Sequence, residues 1–115
     1  MNEWTIDYYS EEVRAWVNSL PVGIRAFYAR ITEKMKVNGP NLGMPSTRSM
    51  GDGLFEVRAI GREGIARVFY CTVVESKIMM LHGFIKKTDK TPPRELKVAR
   101  TRMKELRKRK DDDAR

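Results

Sequence analysis

Two arginines and a group of lysines are the residues of this chain best suited to chemistry. Arg58 lies within LFEVRAI and Arg67 within IARVFYCTVV, each a polar interruption of a β-branched and aromatic run. A third such run, KIMMLHGFIKK, ends on Lys86 and Lys87, and Thr88 and Lys90 follow before two prolines. A strand that only fills a core has no need to end in cations. Guanidinium and ammonium groups gathered together suit a phosphate whose charge grows during reaction. A single such electrostatic contact can contribute roughly 3 kcal/mol to transition-state stabilisation. His82 or a lysine would assist proton transfer.

Strand alternation indicates whether these side chains meet. A GREG loop pairing Ile60 with Ile65 sets Arg58 directly across from Arg67. Like charges across a ladder repel, so folding alone does not select the pair. An anion between them would justify it, or Glu56, on the same face, would hold one arginine in place. Pairing Val74 with Lys77 brings Arg67 opposite Phe84 and Phe69 opposite His82, with Lys86 pointing the same way. The expected surface therefore carries Glu56, Arg58, Arg67, His82, Phe84 and Lys86, and a slip of one residue would invert it.

Other chemistries find little support. The chain has one histidine and one cysteine, and no cluster at metal-ligand spacing, which argues against a zinc site. It lacks a phosphate-binding loop of the Walker type and a Gly-x-Ser-x-Gly elbow. No metal and no cofactor is expected. Arginine and lysine with a proton-transfer group and one aromatic suit phosphodiester chemistry in which RNA supplies its own 2′-hydroxyl as nucleophile.

The elements that must position these residues follow from periodicity. EWTIDYY reads as a short strand, and Ser10 caps a helix striped by Val13, Trp16, Val17 and Leu20. Pro21 opens a second helix, with Ile24, Phe27, Tyr28, Ile31 and Met35 on one side, and Asn38-Gly39-Pro40 closes it. Trp16, Phe27 and Tyr28 are core residues on this reading, not stacking platforms. Residues 40–53 read as a loop by composition. Three consecutive strands follow. A last helix begins at Thr91-Pro92-Pro93 and is striped by Leu96, Ala99, Met103 and Leu106. The order β-α-α-β-β-β-α predicts an α+β domain, with helices on one face of an antiparallel meander. One domain spans residues 1–110, and 111–115 are expected to be a disordered tail.

Charge is unevenly distributed. Residues 1–40 balance, so the whole net charge of +8 belongs to the remainder. A basic part beside a neutral one suggests a footprint for polyphosphate, although half of its cations belong to the last helix and suit a solvated face. No apolar run approaches the about 18 residues of a membrane span, and the N-terminus does not resemble a signal peptide. Cys71, unable to pair internally, reads as a small buried hydrophobe in a reducing, cytoplasmic setting.

GDGLFEVRAIGREGIARVFYC, followed by IMMLHGFIKKTDKTPPREL, resembles the RelE/ParE toxin superfamily, and most closely its HigB-like, phage-derived branch. The resemblance covers residues 4–105 and is strongest over 41–100. It implies an mRNA interferase that acts in the ribosomal A site as the toxin of a type II toxin–antitoxin pair. Its antitoxin would carry a helix-turn-helix domain. On that pattern Arg67 matches the arginine that stabilises the scissile phosphate, Arg58 a substrate-contacting basic position, and Lys86 and Lys87 the basic strand exit. Glu56 occupies a place where RelE-type enzymes carry a base. With His82 these are the expected catalytic residues, and Glu56, Phe84, Thr88 and Lys90 are expected to contact RNA. RelE proper also uses a C-terminal tyrosine; no tyrosine follows Tyr70 here, so His82 or a lysine would take that role. Two readings compete. One is a non-catalytic inhibitor of a protein such as DNA gyrase, as in ParE-type relatives. The other is a nonspecific nucleic-acid-binding protein.

Overall fold

In a computed structural model the described residues are 3–86 and 90–113, with eight elements. They are β1 (Thr5–Tyr8), α1 (Glu11–Asn18), α2 (Val22–Asn38), β2 (Thr47–Gly51), β3 (Leu54–Gly61), β4 (Gly64–Val73), β5 (Lys77–Lys86) and α3 (Pro93–Asp113). One sheet runs in the order β1-β5-β4-β3-β2, antiparallel except where β1 lies parallel to β5. The class is α+β, as the sequence predicts.

Two features depart from the expected arrangement. The helices do not share one face. Val13, Val17, Ile24, Tyr28, Ile31 and Met35, from α1 and α2, bury the sheet side that carries Val57, Ala59, Val68 and Tyr70. Leu96, Ala99 and Met103 of α3 pack on the other side, over Leu54, Phe69, Cys71 and Leu81. The meander strands bring apolar residues to both faces, which therefore need cover on both. In addition, residues 40–53 are not all loop, because Thr47–Gly51 form β2 against β3. The segment TRSMG has no apolar alternation of its own. Its strand geometry comes from the partner strand and from the turn, in which Asp52 (φ 56°) and Gly53 (φ 88°) both take positive φ. Two such residues make the tight hairpin whose twist matches its flanking strands, and Asp-Gly is a favoured pair there.

The meander register is the expected one at the site, by an unexpected route. Arg58 faces Arg67, and Ile60 faces Ile65. Across the next turn Val73, not Val74, pairs with Lys77. A bulge then inserts Leu81 between Met80, opposite Tyr70, and His82, opposite Phe69. The extra residue shifts the register by one, so Arg67 meets Phe84 as the simple pairing requires. At Gly83, on the α1 side of β5, the Trp16 ring lies where a Cβ would stand, 2.3 Å from its nearest carbon.

Cys71 is buried, and burial pushes its thiol pKa up. Tyr28 is buried, while Trp16 and Phe27 pack half-buried against the same core. Pro21 stands at the N-cap of α2 and makes no side-chain capping hydrogen bond. Glu63, in the β3–β4 turn, reaches across and accepts a hydrogen bond from the Gly23 amide at 3.0 Å. The bond from Gly23 is the main reason its carboxyl pKa lies below the ordinary 4.5.

That contact makes stability pH-dependent with a definite sign. The folded state lowers the Glu63 pKa, so the contribution is complete above the unfolded value and is lost as pH falls through the folded one. Glu63→Gln is therefore expected to lower the melting temperature at neutral pH. The gap from wild type should close on acidification, as followed by circular dichroism at several pH values.

Candidate nucleic-acid interface

The side of the sheet that meets α3 also carries the charged cluster. Within it, Glu56 has no exposed surface and Arg67 is 4% exposed. The Arg67 guanidinium donates to Glu56 Oε1 at 2.6 Å. Arg48, on β2 and directly opposite Glu56 in the ladder, approaches the same oxygen at 2.9 Å. Its side chain is 43% exposed, which sets it apart from Arg67. Arg58 faces Arg67 across β3 and β4 and directs its guanidinium toward the Pro45 carbonyl, at 3.5 Å. Two arginines thus share one carboxylate, and a third, Arg58, stands opposite Arg67 on the same side of the sheet. Repulsion between Arg58 and Arg67 is offset by Glu56, the arrangement in which an acid on that face holds one arginine in place. Among the described residues, Glu56 Oε2 and Arg67 Nε are buried and meet no hydrogen-bond partner.

The remaining expected residues divide among several settings. Lys86 ends β5 opposite Ile65, on the same side as Arg67, and has an interaction of its own. Phe84 is buried and stacks on Phe69, with centroids 5.9 Å apart, so its ring serves the core under α3. His82 projects on the α3 side at the bulge, where its Nε2 lies 2.9 Å from Glu95 Oε1 in the first turn of α3. It also lines a cleft of about 290 Å³ with Glu12, Val13, Trp16, Gly83 and Arg102. Lys90 is exposed and has an interaction of its own. Lys87 and Thr88 lie outside the described residues.

Arg48 is the residue that sequence reasoning misses, because its segment has the composition of a loop. The signal is present in Asp52-Gly53, a hairpin turn that requires a strand before Leu54 as well as after it. Tyr70 is no substitute for a C-terminal tyrosine. It lies on the α1 and α2 side, gives its hydroxyl hydrogen to the Pro40 carbonyl, and burial raises its pKa to about 12. Among the described residues no three His, Cys, Asp or Glu side chains gather as a metal-ligand set.

The model of the phage-derived protein Gp49-like family (DUF891) matches residues 15–104. The chain belongs to this family. It is a toxin-type family similar to RelE and HigB, and the match spans α2, the whole meander and the first half of α3. No curated protein matches the chain significantly. Among the described residues no helix is long and apolar enough to cross a membrane.

The buried pair determines what mutation of this site will report. Removing Arg67 strands the Glu56 charge with Arg48 alone, and breaking a buried pair from one side costs about 3–5 kcal/mol. Arg67→Ala is expected to lose stability of that order in urea denaturation. Replacing both partners, Glu56→Met with Arg67→Met, should recover most of it, since an apolar pair of similar volume leaves no buried charge.

Proposed function

We propose that this chain is the toxin of a toxin–antitoxin pair and a metal-independent endoribonuclease that cleaves translated mRNA in the ribosomal A site. The observation that carries this reading is Arg48 and Arg67 sharing one carboxylate, with Arg58 opposite Arg67 on the same side of the sheet, in a chain of toxin-type family. Three positive charges against one negative leave an excess that a phosphodiester backbone would neutralise. Arg58 and Lys86, both on the Arg67 side of the sheet, contact the phosphates flanking the scissile bond. Arg67, buried and immobilised by Glu56, supplies a fixed positive charge beneath that face, felt by the phosphorane through its field and not through an exposed contact. Preorganised charge of this kind needs no reorganisation during reaction. Glu95 orients the His82 ring through Nε2, so Nδ1 is the nitrogen that takes part in proton transfer. The 2′-hydroxyl gives its proton to His82 as O2′ bonds to phosphorus, the P–O5′ bond breaks, and water protonates the departing 5′-oxygen. The products are a 2′,3′-cyclic phosphate and a 5′-hydroxyl. A helix-turn-helix antitoxin would silence the protein by covering this surface.

Cleavage of free RNA at high protein concentration should persist in excess chelator, with 2′,3′-cyclic or 3′-phosphate ends. Products ending in 5′-phosphate and 3′-hydroxyl would sink the mechanism. Binding without any cleavage, free or on ribosomes, would leave only a nucleic-acid-binding protein.

Replacing Arg58 and Lys86 together with Gln should weaken RNA binding and flatten its salt dependence. The log–log slope is expected to fall by about 0.7 for each single-strand phosphate that the protein no longer neutralises. The melting temperature should move little, because substitutions at such partly exposed positions usually stay within about 0.5 kcal/mol.

A further inference from the structure

Glu56 is not placed as a surface carboxylate answering a surface arginine. It is fully buried, yet it draws in an arginine, Arg48, whose side chain is 43% exposed. One oxygen, Oε1, receives both Arg67 and Arg48, at 2.6 and 2.9 Å. The two partners differ in what departure would cost. Arg67 is itself buried, and withdrawing it would leave a buried charge without its closest counterion. Arg48 stands on β2, an edge strand whose pairing with β3 shifts just beyond it, between Ser49 and Gly51. Its guanidinium can turn outward, exchanging a partly exposed ion pair of small net worth for water or another anion.

We infer that Glu56 is an internal stand-in for a substrate phosphate. Its carboxylate holds Arg67 permanently and Arg48 provisionally, and RNA binding transfers Arg48 from Glu56 Oε1 to a backbone phosphate while Arg67 stays. Glu56 is thus a positioning residue for Arg67 and an intramolecular competitor for Arg48. Without it, Arg48 and Arg67 would repel each other in the free protein. With it, one of them carries a built-in cost of release that lowers RNA affinity. The inference rests on the RNA-binding reading of this face and extends it to a residue that faces no ligand itself.

The test is a double-mutant cycle on binding to a 2′-O-methyl RNA oligonucleotide, which cannot be cleaved, measured over a range of salt. Glu56→Gln should tighten binding about two- to five-fold, the factor that a partly exposed ion pair is worth. The salt slope should remain that of wild type, because the same phosphates are contacted. Arg48→Gln should weaken binding and lower the slope by about 0.7. That substitution should cost more in the Glu56→Gln background than in wild type, since no release then offsets the new contact. Unchanged or weaker binding by folded Glu56→Gln, with an additive cycle, would make Glu56 a purely structural counterion and overturn the inference. If Glu56→Gln does not fold, guanidinium NMR of the wild-type protein decides. Adding the oligonucleotide should shift the Arg48 signals, assigned with Arg48→Lys, and leave those of Arg67 in place; unmoved Arg48 signals overturn it. Salt-independent or undetectable binding by wild type would mark failure of the RNA reading itself, a result distinct from the additive cycle, and would take this inference with it.

Discussion

A carboxylate with no exposed surface, between the ladder partners of two strands, constrains much of what surrounds it. Burying the Glu56 charge costs several kcal/mol unless cations meet it closely. Arg67 does so from β4 and Arg48 from β2, so the charge ties together three neighbouring strands. The tie reaches a strand that has little else to recommend it, because TRSMG carries no apolar stripe. It also explains why two arginines can stand directly opposite each other in the β3–β4 ladder. The repulsion of Arg58 and Arg67 is local, and its offset is two residues away on the same side of β3. Interaction and function pull the same way here, since the pair that satisfies folding also fixes a cation on the face proposed to meet RNA.

The last helix is held by a different kind of contact. Its apolar stripe is short, and its arginines supply much of the attachment. Arg102 donates to the Leu81 carbonyl at 2.6 Å, Arg100 to Met50 at 2.6 Å and Arg107 to Asp52 at 2.9 Å. Tyr9 bonds Glu105 and lies beneath the Arg102 guanidinium, 4.9 Å from the ring centroid. Three of the nine cations that look like a solvated basic face therefore satisfy backbone carbonyls at a strand bulge and a hairpin end. The positive charge of this helix is in part structural, which shifts the weight of the nucleic-acid argument onto the arginines of the sheet.

The β5 bulge connects these two regions. The extra residue at Leu81 lets His82 remain on the α3 side, within reach of Glu95, while Gly83 on the other side admits the Trp16 ring. β1 pairs with β5 only as far as Met80. Beyond that point the strand is flanked by α1, α3 and the cleft between them, and the single histidine of the chain stands there.

The sequence by itself determined whatever short-range periodicity and turn chemistry control. Val13, Val17, Ile24, Tyr28 and Met35 mark the inner sides of α1 and α2, and Gly39 after Asn38 ends the second helix. The alternation through Arg58 and Arg67 placed those two side chains on one side of the sheet, because a strand has a period of two and the short β3–β4 turn fixes their pairing. Tertiary structure decided the rest. Which face α3 would cover is not written in its stripe, since a stripe states only that something must be covered. β2 could not be read from TRSMG, because its geometry is supplied by β3 and by Arg48 meeting a charge eight residues later in the chain. The Val73–Lys77 pairing and the bulge at Leu81 compensate each other, and neither is visible in a pattern read one strand at a time. Only folding could show that Glu56 is buried and shared by two arginines, because the worth of a charge depends on the water around it, and burial is a property of the assembled chain.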